Sequence, residues 1–145
     1  MFPFISTLVL YCLSACANNS LKLPKEQTLN LPLSEYVTIV FSVPETHADS
    51  VRDAMGRAGG GKFGNYSFCS LSTKGIGRFM PNENAQPHIG TKDVIETVIE
   101  EKIETVCLKE HLEAVIAAIH KAHPYESTVI DIYPVYKIGC KFSRE

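Results

Sequence analysis

Apolar and polar positions alternate most cleanly over residues 36–43. Val37, Ile39, Phe41 and Val43 fall on one side, and Tyr36, Thr38, Val40 and Ser42 on the other. A period of two predicts a strand, which Pro44 ends. Over residues 46–58 the period changes. Ala48, Val51, Ala54, Met55 and Ala58 recur three and four apart, the stripe of an amphipathic helix, and Gly59-Gly60-Gly61 stops it. Residues 66–73 predict a second strand, with Cys69 and Leu71 on one face and Tyr66 and Phe68 on the other. Arg78-Phe79-Met80 then returns past Gly75 and Gly77 as a short hairpin arm. Residues 81–91, rich in Asn and Pro, predict a loop long enough to be functional or mobile. Residues 95–108 predict a third strand, although the first half reads equally well as a helical turn. Leu112, Val115, Ile116 and Ile119 mark a second helix over residues 110–122, and His123-Pro124 stops it. Residues 129–135 predict the last strand, and the tail carries a second apolar patch at Ile138 and Cys140.

The order β-α-β-β-α-β predicts an α+β protein with a ferredoxin-like antiparallel sheet and both helices on one face. Val40, Val106, Ile130 and Ile132 are expected on the opposite face. A second copy of the chain covers that face most simply, so a homo-oligomer is expected.

Composition narrows this further. The chain has 145 residues, enough for one domain. A net charge of −2 without a Lys/Arg cluster argues against nucleic acid as a partner. The first sixteen residues are apolar, too short for a membrane span and the length of a signal-peptide core. Leu13-Ser14-Ala15-Cys16 resembles a bacterial lipobox, which would make Cys16 an acylated membrane anchor. No Lys or Arg precedes the apolar run, and the rival reading is a start site assigned too far upstream. Residues 1–34 are therefore set apart as a signal-like or mis-assigned segment with a linker, and residues 35–145 as the domain. The five cysteines form no CxxC pair, and an odd count favours a reducing compartment. A cytoplasmic location is expected, with a lipoprotein anchored through Cys16 as the alternative.

Seven of the nine glycines fall in residues 59–90, which suggests backbone shaped for tight turns or close approach. Residues 56–62 match the start of the phosphate loop GxxxxGK[ST]. Phe63 stands where a hydroxyl must hold magnesium, and a helix rather than a strand precedes, so that reading is rejected. His123-Pro124-Tyr125-Glu126 reads either as a helix stop or as a site, since an imidazole and a carboxylate three apart can share a metal or a proton. Cys69 reads as a buried small hydrophobe or a reactive thiol. His88 lies in the long loop. His47, His111 and His120 are expected to be solvated, and Glu96, Glu100, Glu101 and Glu104 to be solubilising.

Three pieces together carry a resemblance. They are Gly64-Asn65-Tyr66-Ser67-Phe68-Cys69-Ser70, Gly75-Ile76-Gly77-Arg78-Phe79 through Ile89-Gly90, and Ala122-His123-Pro124-Tyr125-Glu126 followed by Asp131-Ile132-Tyr133-Pro134. In order and spacing they resemble the PII-like domain found inserted in dinuclear-metal proteins of the YqfO, or NGG1p-interacting-factor, type and also occurring alone. The His-Pro-Tyr-Glu element is similar to that of CutA-type proteins, which share the fold and form trimers. The resemblance implies a homotrimer or higher assembly with these segments near subunit junctions. It does not imply metallohydrolase chemistry, because the metals of the larger proteins belong to a flanking domain. Phe68 departs from the pattern, which often has His before the Cys.

The expected function is a small oligomeric binding or regulatory module without catalysis. Its small-molecule or metal ligand would lie near Gly64, Asn65, Tyr66, Cys69, His88 and Tyr125. A divalent metal ion would be held by His123, Glu126 and Cys69. The rivals are a metal-assisted hydrolase built on that metal set and a purely structural or interaction protein.

Overall fold

A computed structural model describes residues 31–136. The signal-like segment with Cys16, the apolar patch at Ile138 and Cys140, and the remaining terminal residues lie outside them. The described elements are β1 (Leu33–Pro44), α1 (Ala48–Arg57), β2 (Leu71–Phe79), β3 (Glu96–Leu108), α2 (Leu112–Ala122) and β4 (Ile130–Tyr136). A single 3-10 turn leads into each helix, Glu45–His47 and Lys109–His111. The strands lie in the order β2-β3-β1-β4, every neighbouring pair antiparallel. This is the ferredoxin-like α+β arrangement that the element order predicts.

The alternation in β1 sets the core. Ile39, Phe41 and Val43, with Ile103 and Cys107 of β3, pack against Val51 and Met55 of α1 and Val115 and Ile119 of α2. Each such side chain, fully buried, contributes about 1.5–3 kcal/mol relative to exposure. Burial pushes the Cys107 thiol above its ordinary pKa, so it behaves as a small hydrophobe.

The structure corrects three expectations and decides a fourth between its two alternatives. Residues 66–70 are not strand, and β2 begins at Leu71, paired with Glu104. Phe68 adopts a left-handed backbone, φ 60°, which breaks the extended chain, and the Cys69 N–H turns back to the Gly61 carbonyl at 2.9 Å. Arg78 and Phe79 do not form a return arm but continue β2, paired with Thr97 and Glu96. The first half of the third strand is strand, because β2 runs alongside it to its first residue. Ile130 and Ile132 lie on the core face, not the open one. They pair directly with Phe41 and Ile39, and directly opposed residues share a face. Val40 and Val106 do lie on the open face, joined there by Tyr133 and Leu71, both more than half exposed.

Candidate functional site

The site is built where α2 ends. The His123 N–H still donates to the Ile119 carbonyl at 2.9 Å, but Pro124 forbids another turn and His123 is extended, ψ 134°. The ring of His123 is thereby turned inward, and the residue is only 7% exposed. Its Nε2–H donates to the Ser42 carbonyl near the end of β1 at 2.9 Å, and its Nδ1 accepts the Tyr125 N–H at 3.1 Å. Both nitrogens are engaged, and the pattern fixes the neutral Nε2–H tautomer. Desolvation by burial lowers the pKa of His123 below its ordinary value, outweighing the opposing bond to Ser42.

Tyr125 packs edge-on between His123 and Phe79, with ring centres 5.2 and 5.7 Å away. Its hydroxyl donates to Glu100 Oε1 at 3.0 Å. Burial, and then that carboxylate, push the phenol well above its ordinary pKa. Glu100 itself is 8% exposed. Its side chain lies over Gly77, where an added Cβ would stand 2.5 Å from the carboxylate carbon. The bare position on β2 therefore makes room for the buried acid on β3.

Glu126 remains exposed and accepts the Gln86 N–H at 3.0 Å, tying residues 81–91 to the corner. Between the two lies a cleft of about 430 Å³, walled by Phe79, Pro81, Tyr125 and Val129, with His88 and Thr128 among its polar lining. The Thr128 hydroxyl is buried there with no hydrogen-bond partner among the described residues. His88 meets His47 edge-on, ring centres 5.2 Å apart.

Of the sequence-predicted site residues, the structure brings His88, His123, Tyr125 and Glu126 together around this cleft. It leaves Gly64, Asn65, Tyr66 and Cys69 elsewhere. Gly64 and Asn65 form the tip of a tight turn closed by reciprocal bonds between Phe63 and Tyr66, and the Tyr66 ring is 73% exposed. Cys69 is held by its backbone, its carbonyl accepting the Thr105 hydroxyl at 2.7 Å. Thr105 lies three residues along β3 from Lys102, the partner of Ser42, so about 10 Å of strand separates the two neighbourhoods. Among the described residues no group of three or more His, Cys, Asp or Glu is arranged to hold a metal ion.

Sequence reasoning missed Glu100 and His47. Glu100 looks like one of several surface acids, and its one signal was the bare Gly75-Ile76-Gly77 strand beside it. His47 gains significance only when the loop brings His88 against it.

No protein-family model matches the chain. The chain is 47% identical over 106 residues to the GTP cyclohydrolase 1 type 2 homolog of Halalkalibacterium halodurans, covering 73% of this chain and 28% of that protein. The Bacillus subtilis protein of the same name is 47% identical over 93 residues, 64% of this chain and 25% of that one. The chain thus spans about a quarter of the length of these curated relatives. Among solved structures, a Bacillus cereus protein related to NIF3 superposes with a TM-score of 0.61 at 41% identity, over 71% of this chain and 26% of that one. The periplasmic divalent cation tolerance protein CutA of Archaeoglobus fulgidus gives 0.51 at 16% identity, over 73% and 88%, a likeness of fold alone. The strand order, the His-Pro-Tyr-Glu corner and these relatives together identify a PII-like, CutA-like domain of the YqfO/NIF3 type.

Proposed function

We propose that this chain is a small self-associating binding module, without catalysis of its own, whose ligand enters the cleft between the His123–Glu126 corner and residues 81–91. One observation carries the reading. The cleft has apolar walls, a half-buried tyrosine, an accessible imidazole at His88 and an unpartnered buried hydroxyl at Thr128. A concave, mostly apolar site with a few polar groups is the form that small-molecule sites take. In this reading His123 is structural, and contact with the ligand falls to His88, Tyr125 and Thr128. Thermal-shift screening with nucleotides and divalent metals tests it. A ligand at a hundred times its Kd adds about 2.7 kcal/mol, and no shift with any member of the panel counts against the proposal.

Self-association is supported by the open sheet face, where Val40, Val106, Tyr133 and Leu71 lie outside the core. A homotrimer or higher assembly is the form that the resemblance implies. The metal-assisted hydrolase remains the rival. It would need Cys69 from a second copy, together with release of a ring nitrogen of His123 from its present partner. Among the described residues no helix is long and apolar enough to cross a membrane. In our reading the module works in the cytoplasm, and anchoring through Cys16 is the alternative. A native mass measurement on protein from its own cells reports the copy number, a retained ligand and any acyl group.

A further inference from the structure

We propose that His47 and His88 hold an exchangeable transition-metal ion, of the Zn²⁺ or Cu²⁺ class, beside the cleft that His88 lines. Their rings stand 5.2 Å apart between centres at an interplanar angle of 89°. Two imidazoles bound to one tetrahedral zinc, each with Zn–N about 2.0–2.1 Å, place their ring centres about 5 Å apart. The separation of the two rings therefore suits a shared ion, and a turn of the exposed His88 ring out of its edge-on contact would bring both lone pairs onto it.

The surroundings suit this role. His47 sits where the 3-10 turn passes into α1, anchored by the fully buried Ala48 beside it. Its Nδ1 lies 2.9 Å from the Thr46 hydroxyl. With Nδ1–H donating to that oxygen, the tautomer leaves the Nε2 lone pair free, as in metal-bound histidines whose second nitrogen is held by a neighbour. His88 lies between Pro87 and Ile89 and takes part in none of the described hydrogen bonds. The contrast with His123 is chemical: that ring has spent both nitrogens on backbone groups, and these two have not. Imidazole donors select zinc and copper over magnesium and calcium. No third protein donor joins the pair among the described residues, so water or a donor atom of a molecule in the cleft completes the ion's shell. The site does not require that the cleft bind a small molecule.

The test is zinc titration of the full chain by calorimetry, with cobalt substitution to read the donor type. The expected result is one ion per chain, weakened at least about tenfold by either His47→Gln or His88→Gln and unchanged by His120→Gln. Cobalt should give a spectrum without thiolate charge-transfer absorption. Zinc affinity equal to wild type in both histidine variants, no uptake at millimolar zinc, or a thiolate band overturns the proposal, the first two outcomes reducing the pair to edge-on packing. A thermal-shift screen with nucleotides alone, run without added metal, tests the cleft separately, so failure of one leaves the other standing.

Discussion

The His123–Glu126 corner and the glycine-rich turn over residues 59–70 both stood out in the sequence, yet they are held together in opposite ways. In the corner, side chains do the work: an imidazole bridges two backbone groups, and a tyrosine reaches a buried carboxylate. In the turn, backbone holds backbone. The Gly60 N–H caps α1 on the Met55 carbonyl, the Gly61 N–H reaches Val106, and the Cys69 N–H returns to Gly61. The side chains there are largely left outside, as at Asn65, Tyr66 and Phe68. A dense run of glycines therefore reports the path of the chain, whereas a mixed polar and aromatic run at a helix end reports buried chemistry.

The sharpest way to break this contrast is His123→Ala. It leaves the Ser42 carbonyl and the Tyr125 N–H without their partner, and about 2–4 kcal/mol should be lost in urea unfolding. A loss no larger than that of Asn65→Ala would put the two regions on a par. Gly61→Ala comes next, at about 2–3 kcal/mol. Its Cβ would collide with the Cys69 backbone, and its φ of 69° is itself costly for alanine. Gly64→Ala, with φ 57° but open space around it, isolates the backbone cost, about 1 kcal/mol. A large gap between the two variants confirms that the turn is defined by close backbone approach.

Tyr125→Phe should cost about 1–2 kcal/mol by leaving Glu100 without its donor. Spectrophotometric titration should show the loss of a phenol that ionises well above the ordinary tyrosine value. The smallest effect concerns pH. His123 has a lowered pKa in the folded state, so on acidification the unfolded chain takes up its proton first. Its contribution is complete above about pH 6.5 and is lost as pH falls from there through the lower folded value. Protonation would put a hydrogen on Nδ1 facing the Tyr125 N–H, and a pH–stability curve for His123→Gln should be flatter over that window.

The fold was readable wherever one face of an element is buried. β1, both helices, the second half of β3 and β4 follow their periodicity to within a few residues. β2 was misplaced because Gly75 and Gly77 erase the alternation, and because Phe68 takes a conformation that nothing in its side chain announces. The facing of β4 was misassigned because strand register, which its local pattern does not contain, decides it. Around the cleft, Tyr125 and His123 were visible as a motif. Glu100 and His47 were not, since their significance depends on partners far away in sequence.

The hydrogen bond from His123 to Ser42 joins residues 81 positions apart. Closing so long a stretch of chain is entropically unfavourable until the sheet and α2 have already met, so this link belongs to the last stage of folding. Weakening it should hasten unfolding and leave the refolding rate almost unchanged, which makes one imidazole a fastening that governs how long the native state lasts rather than how quickly it is reached.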